Sequence, residues 1–128
     1  MASSPKKILV VEDEQETLVH LSNILKRSSY EVISTTKGSE AVGLVKSSSP
    51  DLVILDIVMP DMSGSEVAAA LSEDPATAGI PIIYLTGILT KKEELSIKKT
   101  GRHFIMAKPT TGKEILEKVE QVLAAQKQ

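Results

Sequence analysis

The chain has 128 residues, enough for one domain with a hydrophobic core and too few for two domains of ordinary size. A net charge of −2 and an aromatic content of 2% argue against direct nucleic-acid binding, which uses a basic face and stacking side chains. The absence of cysteine excludes disulfide bonds and thiolate zinc sites.

The first strongly apolar run, ILVV, follows Lys6 and Lys7 and is too short for a signal peptide. No apolar stretch of the sequence is long enough to span a membrane. We therefore expect a cytoplasmic protein that does not associate with a membrane.

Short strand-like runs alternate with segments of helical periodicity along the whole chain. The predicted strands are, in order, ILVV (8–11), YEVIST (30–35), LVIL (52–55), PIIYL (81–85) and FIMA (104–107). Between them, apolar residues recur three and four positions apart, which indicates amphipathic helices. The helical stripes are Leu18, Leu21 and Leu25, then Val67 and Leu71, and finally Ile115, Leu116, Val119, Val122 and Leu123.

Two of the predicted helices are weaker than the others. The segment 39–46 is short and contains Gly43, and the segment 90–99 has only Leu95 and Ile97 to bury. Because packing supplies most of the stability of a helix, we expect the helix at 90–99 to be short and labile. Capping boxes mark three helix starts, at Ser63–Glu66, Thr90–Glu93 and Thr111–Glu114.

Five strands that alternate with five helices predict an α/β fold with a parallel sheet covered on both faces. The first, third and fourth strands are the most apolar and are expected at the centre, whereas the alternating second strand suits an edge. We expect a single domain over 1–128, with a polar leader at 1–5, a folded domain at 6–124 and a tail at 125–128.

Polar residues follow the predicted strands at the edge where parallel sheets bind ligands. Singly, each has an ordinary explanation, such as acids that complement a helix dipole or a lysine that is solvated. Their convergence is more informative, because three acids close together repel one another and a divalent cation removes that cost. The residues are Glu12 and Asp13 after the first strand, Asp56 after the third, Thr86 after the fourth and Lys108 after the fifth.

A set of oxygen ligands favours Mg²⁺ or a similar hard cation. Asp56 beside such an ion is a competent phosphoryl acceptor, since carboxylates form aspartyl-phosphates. Lys108 would offset the charge of the phosphoryl oxygens, and Thr86 would donate a hydrogen bond to one of them. The pattern therefore predicts phosphoryl transfer to Asp56.

Four motifs in order resemble the receiver domain of two-component response regulators. They are VVEDE (10–14), DLVILDIVMPDMSG (51–64), YLTG (84–87) and AKP (107–109), and the spacings from Asp56 to Thr86 and from Thr86 to Lys108 match as well. The resemblance covers nearly the whole chain. It implies a doubly wound, flavodoxin-like fold with a five-stranded parallel sheet of order 2-1-3-4-5.

The resemblance also implies how the domain works. Asp56 would receive phosphate from a histidine kinase or a histidine phosphotransfer protein, and Thr86 and Lys108 would respond to the phosphoryl group. Mg²⁺ would be held by Glu12, Asp13, Asp56 and the backbone carbonyl of Val58. As a stand-alone receiver, the chain would catalyse only its own phosphorylation and dephosphorylation and is otherwise not an enzyme.

Phosphorylation would switch binding of a downstream protein at the face made by the predicted helix at 90–99, the fifth strand and the last helix. The chain would be a monomer or a weak, phosphorylation-dependent dimer. Two residues of this region depart from the family. Ile105 and Thr110 stand where the family has or often has an aromatic residue.

Three other functions are consistent with parts of this sequence pattern. A flavin-binding flavodoxin is disfavoured because Glu12, Asp13 and Glu14 would repel the phosphate of the cofactor. A phosphatase with an aspartyl nucleophile would need a general acid two residues after Asp56, where Val58 stands. A receiver-like interaction module that works without phosphorylation is the alternative that stays open.

Overall fold

The computed structural model describes residues 6–57, 62–86, 103–107 and 112–125. These residues contain five strands and four helices. The strands are β1 (Lys7–Val11), β2 (Glu31–Thr35), β3 (Leu52–Asp56), β4 (Ile82–Thr86) and β5 (His103–Ala107). The helices are α1 (Gln15–Arg27), α2 (Gly38–Ser48), α3 (Gly64–Glu73) and α4 (Gly112–Ala125).

The strands form one parallel sheet of order β2-β1-β3-β4-β5. This order confirms the doubly wound arrangement, with the three most apolar strands at the centre and β2 at an edge. All five residues of β3 are buried, as expected for a central strand covered on both faces. Among the described helices, none has the length and apolar character needed to cross a membrane.

Alternate residues of each strand enter two separate hydrophobic clusters, one on each face of the sheet. On one face, strand residues such as Leu9, Val53 and Tyr84 pack with buried residues of α2 and α3. On the other, Ile8, Ile54 and Ile83 pack with the stripes of α1 and α4. Full burial of such a side chain contributes about 1.5–3 kcal/mol to the free energy of unfolding. The two clusters therefore stabilise the sheet and fix the positions of the strand ends. The predicted stripes are confirmed as buried or partly buried: Leu18, Leu21, Leu25, Val67, Leu71, Ile115, Leu116, Val119, Val122 and Leu123.

Helix α2 is longer than the predicted segment 39–46. Gly43 is exposed, and a Cβ added to it would meet no atom within 4 Å. A glycine in a helix costs about 1 kcal/mol, and burial of Ala41 and Val45 against the sheet outweighs that cost. The helix ends at Ser48 and is capped by Ser49, whose φ of 48° is left-handed and whose N–H donates to the Val45 carbonyl over 2.9 Å.

Helix α3 begins with the predicted capping box. The N–H of Glu66 donates to Oγ of Ser63 over 3.2 Å, and the Ser63 hydroxyl donates to the Glu66 carboxylate over 3.3 Å. The first of these bonds satisfies an amide of the first helical turn, and the second joins the two side chains. The boxes that begin at Thr90 and Thr111, and the helix predicted at 90–99, lie outside the described residues.

Phe104 and Ile105 are neighbours in β5 and point to opposite faces of the sheet. Ile105 packs against the cluster under α2 and α3, and Phe104 packs against the cluster under α1 and α4. Ile105 pairs with Tyr84 of β4, which is 1% exposed. Burial raises the pKa of the Tyr84 phenol. Phe104 therefore does not occupy the side of the sheet on which Ile105 replaces the family's aromatic residue.

Candidate metal centre at the carboxyl edge of the sheet

Three carboxylates meet where β1 and β3 end. Val11, the last residue of β1, pairs with Leu55 of β3, so the residues that follow each of them are brought side by side. Glu12, Asp13 and Asp56 each offer one carboxylate oxygen, and these oxygens all lie within 4.8 Å of one another. We call these three residues the acid cluster. The structure thus brings together the acids that the sequence predicts as metal ligands.

The members of the acid cluster differ in burial. Glu12 is 1% and Asp56 is 6% exposed, whereas Asp13 is exposed. The backbone N–H of Glu14 donates to the Glu12 carboxylate over 3.2 Å, which helps to fix a buried charge. Asp13 thus faces solvent, whereas Glu12 and Asp56 are buried. A ligand could reach the cluster from the side of Asp13.

The backbone at Gly64, the first residue of α3, comes close to Asp56. The N–H of Gly64 donates to the Ile57 carbonyl over 2.7 Å. A Cβ on Gly64 would lie 2.4 Å from the Asp56 carbonyl oxygen and 2.7 Å from Cα of Ile57, both backbone atoms. Only glycine fits this contact without moving the chain. This role of Gly64 was not predicted from the sequence, although its place directly after the helix cap Ser63 was an available signal.

The donor set of the acid cluster fits a hard divalent cation. All three donors are carboxylate oxygens, which Mg²⁺ and Ca²⁺ prefer, and Mg²⁺ typically uses one or two carboxylates and keeps water at its other positions. Like charges at this separation repel, and a cation between them reverses the sign of the interaction. The chemistry of the cluster therefore supports a magnesium site.

The other predicted site residues lie at or beyond the ends of β4 and β5. Thr86 is the last residue of β4, and Asp56 pairs with the residue before it, Leu85. The backbone of Thr86 is therefore at the same edge of the sheet as the acid cluster. Lys108 and Val58 lie outside the described residues, although Ala107, which precedes Lys108, pairs with Thr86.

A second feature that was not predicted from the sequence lies beside Glu12, at the end of β2. The N–H of Glu12 donates to the carbonyl of Thr35 over 3.2 Å. The hydroxyl of Thr35 donates to the Glu40 carboxylate over 2.6 Å and accepts from the N–H of Lys37 over 3.1 Å. In the sequence, Thr35 is an unremarkable β-branched residue of a strand, so nothing distinguished it.

Comparisons with known proteins agree on one family. Residues 8–120 match the response regulator receiver domain. The polar-differentiation response regulator DivK of Brucella anthropi is 32% identical over 119 residues, which are 93% of this chain and 97% of that protein.

Two solved structures share the fold. A CheY-like response regulator receiver domain protein of Methanospirillum hungatei superimposes with a TM-score of 0.91 at 27% identity, over 97% of this chain and 98% of that one. The chemotaxis protein CheY4 of Vibrio cholerae gives a TM-score of 0.86 at 26% identity, over 92% of this chain and 98% of that one.

Receiver domains are signalling domains rather than conventional enzymes, and they bind Mg²⁺ at an acidic pocket. They interact with histidine kinases or phosphotransfer proteins and with downstream partners. Fold, acid cluster and sequence similarity lead to the same conclusion. This chain belongs to the response regulator receiver domain family and takes part in two-component signal transduction.

Proposed function

We propose that Asp56 accepts a phosphoryl group from a histidine kinase or a histidine phosphotransfer protein, in a reaction that depends on Mg²⁺. The observation that carries this proposal is the acid cluster, in which Asp56 ends the central strand β3 beside two further acids. Phosphorylation then switches the binding of other proteins.

In the proposed step, a carboxylate oxygen of Asp56 attacks the phosphorus atom of a phosphohistidine. The new O–P bond forms as the N–P bond breaks, and the imidazole nitrogen keeps the electron pair of that bond and takes up a proton. Asp56 suits this role because it is buried and pairs with Leu85 of β4, which fixes the position of its carboxylate. Positioning of this kind is the main contribution of a protein to phosphoryl transfer.

Glu12, Asp13, Asp56 and the backbone carbonyl of Val58 would hold the Mg²⁺ ion. When bound, the ion offsets negative charge on the transferring phosphoryl group and on the cluster. The chain itself determines where the carboxylates that would hold the ion are placed. Glu12 keeps its carboxylate in place through the N–H of Glu14, and Asp13 remains accessible at the surface.

Thr86 and Lys108 complete the proposed acceptor site. The hydroxyl of Thr86 would donate a hydrogen bond to one phosphoryl oxygen, and the ammonium group of Lys108 would offset the charge on another. The place of Thr86 at the end of β4, next to β3, supports this role.

The proposed output surface is the face made by the segment 90–99, β5 and α4, where a downstream protein would bind. Ile105 of β5 is partly buried and packs against the core rather than standing free. Isoleucine is stiff at χ1 and carries no hydroxyl, so its side chain is a poor switch. The change at this face is therefore expected in the backbone after Thr86 rather than in a rotamer of Ile105.

The test is incubation with acetyl phosphate and Mg²⁺, followed by measurement of the intact mass. The expected result is the gain of one phosphoryl group, lost when EDTA is added before the donor and lost in Asp56→Asn. Asp51→Asn is the matched control, because Asp51 lies at the opposite end of β3 and should leave the gain unchanged. A mass that never shifts, or that shifts equally in Asp56→Asn, would contradict the proposal.

A further inference from the structure

The backbone of Glu12 is held on its outer side by the edge strand of the sheet. Strand β2 ends at Thr35, and the carbonyl of that residue accepts the N–H of Glu12 over 3.2 Å, one residue beyond the last pair of the ladder. Glu12 therefore depends on the position of a strand end that has no further strand outside it. Strand ends at a sheet edge fray more readily than central ones, so something must fix Thr35.

Thr35 is fixed by a second layer of hydrogen bonds. Its side chain is 7% exposed, donates to the Glu40 carboxylate over 2.6 Å and accepts from the N–H of Lys37 over 3.1 Å. Glu40 lies in the first turn of α2, where a carboxylate is also favoured by the helix dipole. One hydroxyl thus joins the end of β2, the β2–α2 turn and the start of α2.

We propose that Thr35, held by Glu40, is a positioning residue for the metal-binding carboxylate of Glu12. The path runs from Glu40 to the Thr35 hydroxyl, along the Thr35 backbone to its carbonyl, and from there to the Glu12 N–H. This inference rests on the proposed function, because it concerns how well the acid cluster binds Mg²⁺. It adds two residues outside the cluster that set the affinity of the site.

Partners that orient a metal ligand typically change metal affinity by about 10- to 100-fold when removed. The hydrogen bond with Thr35 involves the backbone N–H of Glu12 and not the Glu12 carboxylate. We therefore expect a smaller change in metal affinity. We expect Thr35→Val to raise the Mg²⁺ dissociation constant by about three- to tenfold. Thr35→Ser keeps the hydroxyl and should stay within about twofold of the original affinity.

The experiment is calorimetric titration of the unphosphorylated chain with MgCl₂, with the melting temperature of each variant measured without metal. Glu40→Ala should weaken Mg²⁺ binding in the same direction as Thr35→Val, whereas Glu40→Gln retains an acceptor and should not. Glu40 is exposed, so its variants test the inference even if Thr35→Val fails to fold.

Thr77→Val is the matched control. Thr77 is also a buried threonine, 3% exposed, and its hydroxyl donates to the Leu71 carbonyl over 2.6 Å, away from the acid cluster. This variant should melt at a lower temperature and bind Mg²⁺ with the original affinity.

Equal Mg²⁺ affinity in Thr35→Val, Glu40→Ala and the original chain would overturn the positioning role. So would a loss of affinity in Thr77→Val as large as in Thr35→Val, since the effect would then be general loosening. Failure of the original chain to bind Mg²⁺ at all is a separate result, which would overturn the proposed function and this inference with it.

Hydrogen exchange of the Glu12 amide gives a readout without metal. The Glu12 amide donates to the Thr35 carbonyl. Its exchange rate should therefore increase more in Thr35→Val than the exchange rates of the core amides of β3. In Thr77→Val the two should change together. An unchanged ratio of the two rates in Thr35→Val would count against the proposed path.

Discussion

The two ends of the parallel sheet differ in how their charged groups are arranged. At the carboxyl end, the acid cluster collects three groups of the same sign within a few ångströms. At the amino end, opposite charges and polar groups meet. The ammonium group of Lys7 lies 3.6 Å from the Glu31 carboxylate and donates to the Ser48 carbonyl over 2.9 Å, and the Lys7 N–H donates to the Asp51 carboxylate over 2.8 Å.

This difference separates stability from function within one sheet. The amino end satisfies its own polar groups, so substitutions there should affect the free energy of unfolding and little else. The carboxyl end keeps repelling acids close together, which is unfavourable for the fold alone; under the proposed function, a bound cation and a phosphoryl group would make use of it. The following predictions test that division.

The largest effect is expected for Gly64, at the carboxyl end of the sheet. In Gly64→Ala the new Cβ would collide with backbone of Asp56 and Ile57, whereas a Cβ on Gly79, before β4, meets nothing within 4 Å. Overpacking of this kind costs about 1–3 kcal/mol, and displacement of Asp56 should slow phosphorylation by acetyl phosphate more than about tenfold.

Gly79→Ala is the control and should change the free energy of unfolding by less than about 0.5 kcal/mol, with no change in phosphorylation rate. The measurements are urea unfolding and the rate of the mass increase. Equal phosphorylation rates in the two variants would show that the close approach at Gly64 does not position Asp56.

A pair of aspartates should give effects of opposite sign. Asp51→Ala removes the acceptor of the Lys7 amide and should lower the free energy of unfolding by about 1 kcal/mol, with Mg²⁺ affinity unchanged. Asp13→Ala removes one member of a repelling cluster. It should raise the melting temperature without metal by about 2 °C and weaken Mg²⁺ binding.

Thermal melts with and without MgCl₂ measure both variants. In the original chain Mg²⁺ should raise the melting temperature, and this rise should shrink in Asp13→Ala but not in Asp51→Ala. If Asp13→Ala melts below the original chain in EDTA, the acid cluster is not a source of repulsion and the contrast between the two ends fails.

The smallest effect is expected at the ion pair of the amino end. Glu31→Gln removes the charge opposite Lys7, but these side chains are 55% and 30% exposed, so solvent screens the pair. The free energy of unfolding should fall by less than about 0.5 kcal/mol, and added NaCl should abolish the difference. A larger loss would mean that the charge pair, rather than the hydrogen bonds of Lys7, stabilises the amino end.

Much of this arrangement could be predicted from the sequence, because the relevant signals are local. The apolar run before Asp56 is long enough to require a central strand, and parallel strands bring their carboxyl ends to the same edge. The resemblance then supplied the strand order that places β1 next to β3. The helix cap at Ser63 could also be predicted, because a capping box involves residues only three positions apart.

What could not be predicted depends on contacts between distant segments. The approach of Gly64 to the backbone of Asp56 is a contact between the start of α3 and the end of β3, which no local pattern encodes. The bond between Thr35 and Glu40 requires the turn between β2 and α2 to have one particular shape. Adjacent acids also differ in ways the sequence does not show, since Glu12 is buried and Asp13 is not.

The position of β1 between β2 and β3 has a consequence for folding. The acid cluster draws on residues near 12 and on Asp56, so it exists only after β1 and β3 have paired across the whole of α1, β2 and α2. Pairings of this sequence separation form late and slowly compared with local helices. The cluster is therefore absent from any chain in which β1 and β3 have not yet paired. Under the proposed function, Mg²⁺ bound at the cluster would also stabilise the folded chain, so its concentration would affect both phosphorylation and the free energy of unfolding.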